Sequence, residues 1–389
     1  MGRSVAGRVS GMGRSATVSL FDVVGQLRAE GRVVVDVSGG QPDFVTGEHV
    51  VDAAVDALRA GHTHYTASRG LVRLRELIAQ KHQRDNGFTV SPEDVIVTPS
   101  AKHALYISLL TLLDPGDEVV VPTPSWVSYQ AMAHLVGGRA VEAELRADEG
   151  FRITRDVLES ATTDRTRVLL LNTPNNPTGR VLDAEEAAVV AAHAAEHDLW
   201  VVADEIYEAI RFDGRAHTSV AALPGCAERT LTVNGFSKSH AMTGWRLGWV
   251  AAPREVAGHL LKAQEHTVSC AASFAQHGGI AALEGPAGHV AAMRDSYDER
   301  RHLVVDGLNA LPGVRCALPE GAFYAFADIT GAGRGGSLEF AGWALREAGV
   351  AVTPGTAFGA GGEGHVRVSF AARRELLEAA LERLAAALG

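Results

Sequence analysis

The chain of 389 residues contains only three cysteines, Cys226, Cys270 and Cys316. The number is odd and the spacing matches no metal-ligand pattern. A disulfide framework and a cysteine-built metal site are therefore both set aside, and each thiol reads as a small buried apolar residue in a reducing cytoplasm. No apolar run approaches the roughly 18 residues of a membrane-spanning helix, so no membrane partner is expected. Positive charge is also short. The 36 Lys and Arg against 46 Asp and Glu leave a net charge of −10, which argues against nucleic acid or an anionic membrane as the main partner. Repeats at solenoid periods are missing. The N-terminal "MGRSVAGRVSGMGRSA" is basic and rich in Gly and Ser with no apolar stretch behind it. It is neither a secretory signal nor an anchor, and residues 1–14 are expected to be a disordered tail.

What is present is a large apolar share, 46% of residues, enough for one large domain and a smaller one. Short β-branched runs alternate with helical patterns from about residue 50 to 290. "DVIVTP" (94–99), "EVVVP" (118–122), "RVLLLN" (167–172), "LWVVADE" (199–205), "RTLTVNGFS" and "RLGWVAAP" read as strands, with "SAKHALYISLLTLL" and "EEAAVVAAHAAEH" as helices between them. This β-then-α order predicts a three-layer α/β/α domain over 45–290, its sheet mostly parallel. From about 291 a long charged helix leads into short strands and a closing helix over 372–388, an α+β texture. A smaller α+β domain is expected there, completed by residues 15–44.

The stretch "VNGFSKSHAMTGWRLGW" (233–249) sets one lysine, Lys238, between Ser237 and Ser239 among small and apolar residues, with Arg246 the next cation downstream. Glycines at 235, 244 and 248 strip bulk from the backbone, as where a chain approaches a ligand closely. Other polar groups sit at strand ends, outside which open α/β sheets bind ligands. Asp204 closes "LWVVAD", with Tyr207 within one turn, and Asn176 lies in the turn "NTPNNPTG" after "RVLLLN". Ser100 opens a helix, so the backbone N–H groups there can cradle an anion. Two cations, a helix start and hydroxyls read together as a phosphate site. The plainer readings are Asp204 as a helix N-cap and Trp126 as core.

With these residues in place, the chain resembles the fold-type I pyridoxal-phosphate (PLP) aminotransferases, and most closely their bacterial aspartate aminotransferase-like subgroup. The motifs run in the family's order along nearly the whole chain: "SATV" (15–18), "GQPDF" (40–44), "HYTASRG" (64–70), "PSWVSY" (124–129), "NTPNNPTG" (172–179), "ADEIYE" (203–208), "FSKSHAMTGWRLG" (236–248) and "HVRVSF" (365–370). The resemblance implies that Lys238 carries PLP as a Schiff base and moves the proton between Cα and C4′. It implies that Asp204 pairs with the pyridine nitrogen, that Tyr207 and Asn176 hydrogen-bond the ring oxygen, and that Trp126 stacks on the ring. Ser100, Ala101, Lys102, Ser237 and Arg246 would hold the phosphate, together with Tyr65 from a second subunit of a homodimer. Arg367 would clamp the α-carboxylate of the amino acid or 2-oxo acid, with the Gly40 backbone, Trp126 and Asn176 nearby.

Transamination is the expected outcome. A lyase, a β- or γ-replacement enzyme or a cyclase on the same scaffold is the alternative, because all begin by removing the α-proton. A non-catalytic binding domain is disfavoured, since every chemical residue is present. Departures from the family pattern fall at Gly235, Phe21–Asp22, Arg69 and "HTVSCAASFAQ" (266–276), where substrate selection is expected. Gly235 stands where relatives often have Ser or Thr, so one phosphate contact is expected to be lost or supplied by Lys102. His62, His64, His103, His240 and His266 show no metal spacing, and no metal is expected. "GAGGEG" (359–364) lacks the strand–loop–helix context of a phosphate loop and reads as a flexible loop.

Overall fold

A computed structural model describes residues 5–13 and 16–389, with side chains at 5–13 and from residue 22 onward. Of "SATV", Ser15 lies outside the described residues, as do the side chains of Ala16, Thr17, Val18 and Phe21. Within the segment expected as a tail, Gly7–Ser10 form one exposed helical turn. The strands among the described residues are β1 (Val35–Asp36), β2 (Val95–Thr98), β3 (Glu118–Thr123), β4 (Arg139–Glu144), β5 (Thr166–Asn172), β6 (Trp200–Asp204), β7 (Thr230–Gly235), β8 (Gly248–Ala251), β9 (Arg315–Cys316), β10 (Tyr324–Asp328), β11 (Val350–Ala351), β12 (Thr353–Pro354) and β13 (His365–Ser369).

Seven of them form the main sheet in the order β2-β8-β7-β6-β5-β3-β4. All neighbouring pairs from β7 to β4 are parallel, and β8 runs antiparallel to both β7 and β2. The mostly parallel sheet expected from the sequence is what forms. Successive side chains of a strand point to opposite faces, and here both faces are apolar. In β5, Val168 and Leu170 enter one core cluster while Leu169 and Leu171 enter another, and β3 divides Val119 and Val121 from Val120 in the same way. Helix Ala101–Leu112 covers the first face and helices Arg155–Ala161 and Ala184–Glu196 the second. This continuous burial is why these strands read as unbroken apolar runs. The exception is edge strand β4, "RAVEAE", where only Ala143 is buried. Its polar alternation hid it from the sequence reading.

Beyond residue 288 the chain builds helix Gly288–Asn309, the antiparallel sheet β12-β13-β10-β9 and helix Arg374–Leu388. The N-terminal segment joins this region: Val35 and Asp36 pair in parallel with Val350 and Ala351, and Ser369 donates its N–H to the Val37 carbonyl at 2.7 Å. All three cysteines are free. Cys226 and Cys316 are buried as expected, whereas Cys270 is partly exposed. Among the described residues no helix is long and apolar enough to cross a membrane.

Candidate active site

Beyond the C-terminal ends of β5, β6 and β7 opens a cavity of about 790 Å³, walled on its other side by residues 36–43, Tyr324, Arg367 and the start of helix Arg374–Leu388. Six cations (Arg28, Lys102, Lys238, Arg246, Arg367 and Arg373) face three carboxylates, Asp36, Asp43 and Asp204. A cavity with a cationic excess inside a chain of net charge −10 concentrates small anions against the trend of the rest of the surface.

The anion cradle follows from local backbone geometry. Strand β2 ends at Thr98, and the chain turns into helix Ala101–Leu112 through Ser100, whose φ of 96° is one that a residue with a Cβ adopts only under strain, at a cost of about 1–3 kcal/mol. The Ser100 hydroxyl caps the helix by accepting from His103 N. A long helix starts there, with its free N–H groups and positive dipole end at the cavity. Arg246 is a second strained position, with φ 53°, and its guanidinium donates to the Thr243 carbonyl at 2.7 Å. Gly248 allows the two parts to meet: a Cβ there would lie 2.4 Å from Ala101 N and 2.8 Å from Ser100 C. Gly235 has its own reason for lacking a side chain, since its Cβ would come within 2.9 Å of Gly248 Cα. The departure at Gly235 is thus a packing requirement between β7 and β8.

Deeper in, Asp204 is 3% exposed at the end of β6. Its carboxylate accepts from Tyr129 Oη at 2.8 Å and from the Ile206 N–H at 3.2 Å. Burial nevertheless raises its pKa to about 6, with those hydrogen bonds and the Lys238 charge opposing the rise. Lys238 follows β7, and its ammonium donates to the Gly40 carbonyl at 2.5 Å. Burial lowers its pKa to about 8, assisted by Arg367 and opposed by Asp204. Tyr207 shares a 3.0 Å hydrogen bond with the Tyr324 hydroxyl, and burial pushes its pKa well up.

Arg367, on β13, is buried. It donates to Asn176 Oδ1 at 2.8 Å and to the Ser38 carbonyl at 2.7 Å, while its Nε has no partner. Asn176 is positioned in turn by its own N–H, which bonds Asn172 Oδ1 at 2.8 Å. Trp126 stands edge-on to Tyr129, and the Lys102 ammonium lies 4.6 Å from its ring centre. Burial and the charge of Arg246 lower the Lys102 pKa.

Gly40, Ser100, Ala101, Lys102, Trp126, Asn176, Asp204, Tyr207, Ser237, Lys238, Arg246 and Arg367 all border this one cavity. Tyr65 does not: it is 89% exposed and lines a separate surface hollow with His62, His64 and His277. Arg69 and segment 266–276 also lie away from the cavity. The glycine-rich 359–364 stretch is a packed turn rather than a flexible loop, since Ala360 N bonds Glu142 and a Cβ on Gly362 would strike the Gly355 carbonyl. Tyr129 and Tyr324 are functional neighbours that the sequence reading did not single out. Tyr129 closes the quoted motif "PSWVSY", and Tyr324 opens β10.

The model of the family described as aminotransferase class I and II matches residues 32–384. The chain belongs to this family. It is 50% identical to the aspartate aminotransferase of Musicola paradisiaca over 99% of this chain and 97% of that one. Among solved structures, the aspartate aminotransferase of Rhizobium meliloti superimposes with a TM-score of 0.95 at 39% identity, covering 100% of this chain and 99% of the other. That of Thermus thermophilus with maleate gives 0.94 at 41% identity, covering 99% and 100%. The fold is the fold-type I PLP-transferase fold, and the reaction class is PLP-dependent amino-group transfer rather than elimination, replacement or cyclisation. This aminotransferase's own residues fit the cofactor. A buried carboxyl at a raised pKa suits a protonated pyridine nitrogen, a lysine of lowered pKa stands across the same cavity, and a glycine-spaced helix start is shaped for a phosphate.

Proposed function

We propose that the enzyme transfers the amino group of a dicarboxylic L-amino acid to a 2-oxo acid, with the aspartate skeleton as its preferred donor. The observation that carries this reading is Lys102. Its ammonium sits on the Trp126 ring at the cavity wall and faces the same space as Arg367, so one cation is available for each end of a dicarboxylate. The maleate in the Thermus thermophilus relative is also a dicarboxylate.

When bound, the cofactor supplies an electron sink for the carbanion at Cα. Asp204 would keep the pyridine nitrogen protonated, and Tyr129 holds Asp204 in place. Tyr207 and Asn176 would donate to the ring oxygen, Trp126 would lie against the ring, and the Ser100–Lys102 helix start with Ser237 and Arg246 would hold the phosphate. Arg367 takes the α-carboxylate, with Gly40 alongside. Lys238 anchors the cofactor and then moves the proton at Cα, for which a pKa near the working range is what general base catalysis requires.

Tyr65 completes the phosphate site of a second copy in a homodimer. Support comes from its exposure of 89% beside Val72, which is 57% exposed and lines the same hollow. Residues 45–290 act as the cofactor-binding domain, and 15–44 with 291–389 as a smaller domain whose β1–β11 pairing ties its two ends. Three free thiols suit a reducing cytoplasm. The test is an assay of purified holoenzyme with 2-oxoglutarate and a panel of amino donors. Aspartate should give the highest kcat/KM, and a higher value for an aromatic or aliphatic donor would reject the dicarboxylate reading. Sedimentation of the holoenzyme as a monomer would reject the dimer.

A further inference from the structure

Outside the cavity, helices Arg155–Ala161 and Ala184–Glu196 bracket β5 and the turn that carries Asn176. Where these helices meet, Glu159 projects from the first, and His193 with His197 project from the second and its cap. Spacing of i and i+4 puts both imidazoles on one helix face. The Glu159 carboxylate lies between them, 3.1 Å from His197 Nε2 and 3.4 Å from His193 Nδ1. All three ligand atoms lie within 4.8 Å of one another.

His193 decides what this cluster is. It is 1% exposed, its Nε2 is 2.8 Å from Thr162 Oγ1, and its Nδ1 has no hydrogen-bond partner. The single Thr162 hydroxyl proton goes to the Leu158 carbonyl at 2.8 Å. Thr162 therefore accepts from His193, the ring proton is on Nε2, and Nδ1 presents a bare lone pair to a carboxylate oxygen. Two lone pairs facing each other at this half-exposed cluster repel, and a cation between them turns the repulsion into attraction. Arg155 does not fill that place, because its guanidinium bonds Glu196 at 2.5 Å and stays 3.7 Å from Glu159. Around a tetrahedral zinc with bonds of about 2.0–2.2 Å, neighbouring ligand atoms stand roughly 3.4 Å apart, close to the two separations seen here.

We propose that Glu159, His193 and His197 bind a divalent transition metal, zinc by their donor chemistry, with a fourth position open to water. Two imidazoles and a carboxylate suit this class of ion, and the Thr162 contact is the outer hydrogen bond that fixes a ligating histidine. A second carboxylate–histidine group, Glu205, Glu208 and His217, differs in already holding a cation, the Lys81 ammonium on Glu208. Sequence scanning missed the first site because two histidines four apart become ligands only when a glutamate 34 residues earlier than the first folds against them.

The test is a titration of untagged holoenzyme with cobalt(II) and zinc(II). The expected result is one equivalent of cobalt with visible d–d bands of tetrahedral intensity, displaced by zinc. The His197→Ala and Glu159→Gln variants, both at partly exposed positions, should each lose at least about tenfold in affinity, and Thr162→Val about tenfold through the orienting contact. Zinc should raise the Tm of the wild type and leave that of His197→Ala unmoved. Circular dichroism identifies any variant that fails to fold, in which case the remaining variants decide. No cobalt bands at equimolar metal, or binding unchanged in folded His197→Ala and Glu159→Gln, overturns the proposal.

Discussion

The Tyr129 hydroxyl donates to the Asp204 carboxylate at 2.8 Å, and both groups are almost wholly buried. It is the shortest support that Asp204 has against the rise in pKa that burial imposes. Replacing Tyr129 with Phe keeps the ring and removes the donor. A hydrogen bond to a charged group contributes about 1.5–3 kcal/mol, so kcat/KM should fall about 10- to 100-fold. Cofactor retention on dialysis should weaken in parallel. Steady-state kinetics at saturating cofactor would separate the two effects, and unchanged values for both would show that Asp204 does not depend on Tyr129.

Lys238 should titrate far below an ordinary lysine. In the cofactor-free protein its reactivity toward an acylating reagent, followed by peptide mass spectrometry, should rise with a midpoint near pH 8 rather than 10.5. The sign for stability follows. Between those values the folded state binds fewer protons than the unfolded one, so the contribution of this group to stability increases as pH rises through the window. The chain has only four lysines (Lys81, Lys102, Lys238 and Lys262), which makes the labelled peptides easy to resolve. Replacing Lys238 with Ala should reduce turnover to background while leaving the far-UV spectrum intact.

Arg367→Lys should not behave as a conservative change. An ammonium cannot reproduce the fork that reaches Asn176 and the Ser38 carbonyl together. KM for both amino acid and 2-oxo acid should rise by about tenfold or more, with the larger effect on kcat/KM. Equal loss for substrate analogues lacking the α-carboxylate would place the defect elsewhere.

Lys102→Met keeps much of the stem against Trp126 and removes the charge. The ratio of kcat/KM for aspartate over alanine should fall about tenfold or more, most of it through KM for aspartate. A uniform loss for both donors, together with weaker cofactor binding, would instead assign Lys102 to the phosphate.

What the sequence disclosed depended on the physical setting of each residue. Buried parallel strands such as β5 advertise themselves because both faces are apolar, while β4 at the edge does not. Asp204, Asn176 and Lys238 were legible because a charged or amide group at the end of an apolar strand needs a reason. Tyr129 and Tyr324 gave no such signal, since an aromatic among apolar residues looks like core until its hydroxyl is seen to have a partner. Tyr65 could be named from its motif, yet its place is not in this chain's own cavity. Gly235 looked like a departure, and only the approach of β8 explains it.

The contacts of Arg367 carry one more consequence. Its terminal nitrogens serve Asn176 Oδ1, the Ser38 carbonyl and, at 3.4 Å, Thr353 Oγ1, while Nε has no partner. A carboxylate that took both terminal nitrogens end-on would meet acceptors already in place, so its binding would be in part an exchange of partners. An exchange of that kind would leave the net hold on a carboxylate weaker than the same guanidinium offers when unpartnered, and so would ease the departure of a product acid.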